Sequence, residues 1–99
     1  MDLNRQIAEI DGWTELRSIT AILVGRNING KFGPVPDYLA PENQHELVRV
    51  ATGISRKESY ALGMFYEGSG WRVGFGPAVA THPTDLSHAL AEAIIEAKG

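Results

Sequence analysis

Eleven glycines and five prolines are scattered along a chain of 99 residues, and they cut its hydrophobic pattern into short elements. No apolar run approaches the roughly 20 residues that a transmembrane helix needs. Leu3, Ile7 and Ile10 recur at helical spacing until Gly12, which predicts a helix over about residues 2–11, with Trp13 anchoring its exit. From Glu15 to Val24 the chain is rich in strand-favouring types: Ile19, Thr20, Ile22, Leu23 and Val24. Asn29-Gly30 is a hairpin signal, because both residues tolerate positive φ. Lys31 to Val35 is then the returning strand, and Pro34 and Pro36 push it to a sheet edge.

After Pro36-Asp37-Tyr38 the period changes. Pro41 suits a first helical turn, and Leu47, Val50, Ala51 and Ile54 share one helix face, which predicts a helix over about 41–52 closed by Gly53. Glu58 to Tyr66 reads as a strand with apolar residues on both faces, the mark of a strand covered from both sides. Gly68-Ser69-Gly70 is a turn, and Trp71, Val73 and Phe75 alternate with Arg72 and Gly74 on the next strand. Thr81 or His82 caps the last helix, with Pro83 in its first turn. Leu86, Ala89, Leu90, Ala93, Ile94 and Ala97 form its apolar stripe. The order α-ββ-α-ββ-α predicts one α+β domain over 1–99, a single αβα sandwich with three helices on a four-stranded, mainly antiparallel sheet.

Composition narrows the function classes. The chain has no cysteine, which removes disulfides, thiolate catalysis and cysteine zinc sites. Nine basic against twelve acidic residues give a formal charge of −3, short of the basic surplus that general duplex-DNA binding requires. Met1-Asp2-Leu3-Asn4-Arg5 lacks the basic start and apolar stretch of a secretory signal, so a cytoplasmic protein with no membrane attachment is expected.

Several stretches together resemble the phage ABA sandwich domain family: Gly12-Trp13, Val35-Pro36-Asp37-Tyr38, Gly70-Trp71-Arg72-Val73, Ala78-Val79-Ala80-Thr81, Pro83 and the Ala-rich final helix. The resemblance spans nearly the whole chain. The chain departs from the family's pattern at Leu39-Ala40-Pro41, where such domains follow the tyrosine with Ser or Thr. The resemblance implies a sandwich fold and a phage or prophage origin, hence the host cytoplasm as location, and it carries no catalytic residues.

No enzyme signature stands out. Glu42-x-x-His45 and Asp85-x-x-His88 each place a carboxylate and an imidazole one helical turn apart, a spacing that binds metals in helical bundles. On helices that cover a sheet, two solvated faces are the plainer reading, and neither a metal nor a cofactor is expected. Ser69 sits in a turn rather than in a nucleophile elbow, and Gly74-x-Gly76 lacks the rest of a phosphate loop.

The residues best placed to hold a ligand form an anion cradle: Arg72 on the last strand, with Thr81, His82 and Thr84 at a helix start that offers free N–H groups. Arg26 beside the first hairpin, Arg56 and Lys57 before the third strand, and Tyr38 as a stacking surface extend the candidate ligand-binding set. Together with the phage origin that the resemblance implies, these residues point to a non-enzymatic accessory binding protein that counters host defence by sequestering a nucleotide-type signal, as a homo-oligomer. The alternative is a protein-interaction module that binds and inhibits a host or phage protein.

Overall fold

The computed structural model describes residues 2–98. Helix α1 spans Leu3–Ile10, and Asp2 caps it by accepting from the Arg5 N–H at 3.3 Å. Its apolar stripe buries Ile7 and Ala8, and Gly12, at φ +95°, turns the chain out of the helix.

The stretch expected as one strand over 15–24 is two. Strand β1 (Thr14–Ile19) and strand β2 (Ile22–Arg26) pair antiparallel with Ile19 opposite Ile22. The reversal falls on Thr20 and Ala21, both at positive φ (49° and 64°). Two consecutive positive φ values define the primed turn whose twist suits a hairpin, and Asn-Gly is its usual sequence. Thr-Ala carries no such signal. Replacing the pair by Asn-Gly is therefore expected to stabilise the protein by about 1 kcal/mol, since the native geometry is then met without strain. Urea denaturation checks this, and an unchanged or lowered midpoint contradicts it.

Asn29-Gly30 does turn the chain, with Gly30 at φ +80°, but it leads from β2 into a third strand, β3 (Phe32–Pro34). Asn27 builds this turn by accepting from the N–H groups of Asn29 and Lys31 at 2.9 and 3.1 Å.

A 3-10 turn at Pro41–Asn43 opens α2, which runs from Gln44 to Glu58, through Gly53 rather than stopping there. The buried stripe of Leu47, Val50, Ala51 and Ile54 carries the helix past the glycine, and Ser59 in the left-handed region (φ +58°) ends it.

The second half repeats the pattern of the first. Strand β4 (Leu62–Glu67), β5 (Gly70–Phe75) and β6 (Ala78–His82) form an antiparallel meander in that order. The expected strand over 58–66 thus begins later, because Glu58 belongs to α2. Strand β6 includes Thr81 and His82, either of which the sequence assigned to a helix cap. Helix α3 spans Leu86–Lys98, and Asp85 caps it by accepting from the His88 N–H at 3.2 Å. Pro83 precedes this helix.

The domain is α+β with three helices, as expected, but it holds two three-stranded antiparallel sheets rather than one sheet of four strands. Helix α3 packs against β5 and β6 and also against α1 and α2. Contact from several directions explains why Ala89, Leu90, Ala91, Ala93 and Ile94 are all buried. Leu16 and Val35 join the first sheet to this core, and Leu16 lies over buried Gly25.

Candidate functional site

Among the described residues, neither sheet is covered on its outward face. Alternation puts Arg17, Ile19, Ile22, Val24, Arg26 and Phe32 on one face of the first sheet, since Arg17 opposes Val24 and Arg26 opposes Phe32. Ile19, Ile22 and Phe32 there are 49, 56 and 43% exposed. The guanidinium carbons of Arg17 and Arg26 stand 5.4 and 5.8 Å from the centre of the Phe32 ring, within cation–π range. With Glu15 these three side chains line a concavity of about 380 Å³. Arg26 is oriented by an ion pair with Glu15 and by donating to the Gly30 carbonyl at 3.0 Å. On this face Arg17 and Arg26 stand against the single carboxylate Glu15, so a net positive patch belongs to a chain of net charge −3.

The outward face of the second sheet holds the cradle residues in a different arrangement. Phe65, Arg72 and Thr81 form one row across β4, β5 and β6. Arg72 and Thr81 therefore do meet, but as cross-strand partners, not as strand and helix start. Arg72 also lies 3.9 Å from Glu67. His82 is the next residue along β6 and points to the opposite face. Its Nδ1 accepts from the N–H groups of Thr84 and Asp85 at 3.2 and 2.9 Å, and its ring lies 4.6 Å from that of His88. Three of the N–H groups around the start of α3, those of Thr84, Asp85 and His88, are thus engaged by His82 and Asp85. The cradle of Arg72, Thr81, His82 and Thr84 does not assemble at a helix N-terminus.

Tyr38 is not a stacking surface. It is fully buried, its hydroxyl donates to Asp11 Oδ2 at 2.6 Å, and that hydroxyl accepts from the Trp13 indole N–H at 3.1 Å. Burial, and then the bond to Asp11, push the Tyr38 phenol well above its ordinary value. Arg49 grips both oxygens of Asp11 at 2.9 and 2.6 Å and also touches Glu46 at 3.3 Å. Those bonds raise the Arg49 guanidinium further above an already high value. Asn4 completes the clamp, accepting from the Tyr38 N–H at 2.6 Å and donating to the Pro36 carbonyl at 3.0 Å. The Val35-Pro36-Asp37-Tyr38 segment is held as architecture.

Arg56 and Lys57 lie in the exposed last turn of α2. Lys57 does border a concavity of about 390 Å³, where the end of α1 meets α2. Ile10, Ile28, Val50 and Ile54 are among its apolar lining, and its charged lining is Arg49, Lys57 and Lys98 against Asp11 and Glu58. Arg26, Arg56 with Lys57, Tyr38, and Arg72 with Thr81 therefore occupy separate parts of the molecule.

The two carboxylate-x-x-His pairs are used locally. His88 pairs with Glu92 at 2.7 Å, Asp85 caps α3, and His45 lies 3.8 Å from Glu46. Among the described residues no three His, Asp or Glu side chains converge in a way that could hold a metal ion, and no helix is long and apolar enough to cross a membrane.

The sequence reading missed Arg17 and Lys98 and gave Ile19 and Ile22 no role. Arg17 shares a face with Phe32 only once the hairpin at Thr20-Ala21 is known, and that turn has no local signature. These features define a small α+β protein with bare sheet faces and shallow concavities. No protein-family model, curated protein or solved structure matches the chain.

Proposed function

We propose that the protein is a non-enzymatic binding module whose partner is a protein with an acidic, partly apolar surface. The observation that carries this reading is the outward face of the first sheet, where Phe32 lies between Arg17 and Arg26 and beside the exposed Ile19 and Ile22. Exposed aromatic and aliphatic side chains flanked by guanidiniums match what protein interfaces select at their centres. Arginine charges of one sign on an otherwise acidic molecule steer an acidic partner toward that face. An accessory role of phage type, acting in the host cytoplasm, belongs to the same proposal and is supported by the sequence resemblance.

A second reading keeps the nucleotide-type ligand but moves it. The concavity beside Lys57 and Lys98 offers an apolar floor and three cations, with Arg49, against the two carboxylates Asp11 and Glu58, a net positive lining that suits an anion with an apolar body.

Nuclear magnetic resonance separates the two. On adding an acidic peptide of alternating Glu and Leu, amide shifts are expected at Arg17, Ile19, Ile22, Arg26 and Phe32. Arg17→Glu is expected to weaken that binding by about tenfold or more. On adding cyclic and linear nucleotides, the second reading expects shifts at Ile10, Ile28, Ile54, Lys57 and Lys98 instead. Absence of shifts on the sheet face at about 1 mM peptide removes the first reading.

A further inference from the structure

Among the described residues each sheet has two unpaired edges, and three of the four carry a feature that discourages pairing with another chain. Strand β1 is interrupted by a bulge between Thr14 and Arg17, with Glu15 at φ +53°. Strand β3 is three residues long and ends on Pro34, two residues before Pro36. Strand β6 is bracketed by Pro77 and Pro83, and its last residue, His82, is tied into the cap of α3. Strand β4 has none of these. It is six residues long, and no charge or proline occurs from Ser59 to Tyr66. Met64, Phe65 and Tyr66 on it are 41, 58 and 67% exposed.

The backbone of β4 shows which groups are free. The Gly76 N–H donates to the Ala61 carbonyl at 3.2 Å, just ahead of the register Leu62–Phe75 and Gly63–Gly74. Along an antiparallel strand the N–H and C=O of successive residues turn to opposite sides. Ala61, Gly63 and Phe65 therefore face β5, while Leu62, Met64 and Tyr66 turn their backbone groups to the open edge.

We infer that β4 pairs with β4 of a second copy of this chain about a two-fold axis at Met64. An antiparallel strand edge is self-complementary about such an axis, so one patch serves both partners. With Met64 facing its own copy, Leu62 faces Tyr66 and Gly63 faces Phe65, each pair occurring twice. The free backbone groups at 62, 64 and 66 then meet one another. Bulk also matches: the Phe65 ring already lies over Gly63 of its own strand, with Cε2 only 2.9 Å from where a β-carbon would stand. The residue opposite each Phe65 is thus a glycine with no side chain of its own, and the Phe65 ring that covers it from its own strand meets the partner's ring. Charge is compatible as well, because Glu67 faces the uncharged Ala61 and no like charges are opposed.

The area sets the strength. Aromatic side chains offer about 150–250 Å² each. At their exposures, Met64, Phe65 and Tyr66 would cover roughly 300–400 Å² per protomer, about half of what a standard interface buries on each side. The pair is a reversible dimer that joins two three-stranded sheets into one of six.

Analytical ultracentrifugation from about 10 µM to about 1 mM tests it. The apparent mass is expected to rise from 10.8 kDa toward twice that value. Met64→Lys, which sets two ammonium groups against each other, is expected to stay monomeric with an unchanged circular dichroism spectrum. Because the chain has no cysteine, a single introduced thiol reports directly on the register. Met64→Cys is expected to oxidise to a disulfide dimer, as the roughly 5.5 Å Cα separation of such a pair allows. Val79→Cys, exposed on β6, is expected not to. A wild-type chain monomeric throughout the range overturns the inference. So does a dimer that survives Met64→Lys, or cross-linking through Val79→Cys as ready as through Met64→Cys.

Discussion

Gly70→Ala is expected to cost more than about 3 kcal/mol, a large share of the roughly 5–15 kcal/mol that holds a small domain together. Gly70 opens β5 at φ +121°, in a region that side-chain-bearing residues rarely enter. That conformation alone costs about 1–3 kcal/mol for alanine. A β-carbon there would also stand 2.5 Å from Pro83 Cα, 2.6 Å from the His82 carbonyl oxygen and 2.7 Å from that of Pro83. All three are backbone atoms, so no rotamer change relieves the clash, and overpacking adds about 1–3 kcal/mol. The segment pushed aside is the one that ends β6 and delivers His82 and Asp85 to the start of α3. Loss of stability and fraying of that helix are therefore expected together. Gly74→Ala is the control: it lies on the same strand, with ordinary φ and nothing within 4 Å of the added carbon. Urea denaturation of both variants decides the matter, and equal midpoints refute the argument.

The three helices were legible because each carries an apolar stripe whose spacing outweighs local breakers. That is why α2 passes Gly53 without stopping. The strands were harder, for two physical reasons. Thr20 and Ala21 adopt a geometry normally supplied by Asn-Gly, so tertiary pairing of Ile19 with Ile22 imposes the turn and nothing local announces it. Strand β6 buries only alanines, Ala78 and Ala80, against α3. Such small residues allow the helix close to the sheet but write a faint alternation into the sequence. The sequence grouped Arg72 with Thr81 but left open whether they converge; they do so as cross-strand partners and not at a helix start, because Thr81 belongs to a strand. Tyr38 was misplaced for a related reason. A tyrosine after Val35-Pro36-Asp37 reads as a loop aromatic, and only Asn4, Asp11 and Trp13, more than 20 residues earlier, show that it is enclosed.

That enclosure makes Tyr38 the second position of large effect. Tyr38→Ala is expected to cost about 3–5 kcal/mol, since it empties the site of the largest fully buried side chain. Tyr38→Phe keeps the ring and removes the hydroxyl, leaving the Trp13 N–H without an acceptor and Asp11 with Arg49 alone. The expected cost is about 1–3 kcal/mol. The two variants separate packing from hydrogen bonding, and pH separates them further. The folded chain holds the phenolic proton more tightly than the unfolded chain does, because burial and Asp11 raise the group above its ordinary 10.0. A raised value means that the stabilisation is whole below pH 10 and is lost as pH rises beyond it, where the unfolded chain releases its proton first. Wild type is therefore expected to lose stability above about pH 10 more steeply than Tyr38→Phe, so that the gap between them narrows with rising pH. Denaturation midpoints at neutral pH and above pH 10 measure both quantities. Equal stability of wild type and Tyr38→Phe at neutral pH, or parallel loss above pH 10, would show that the phenol contributes only its ring.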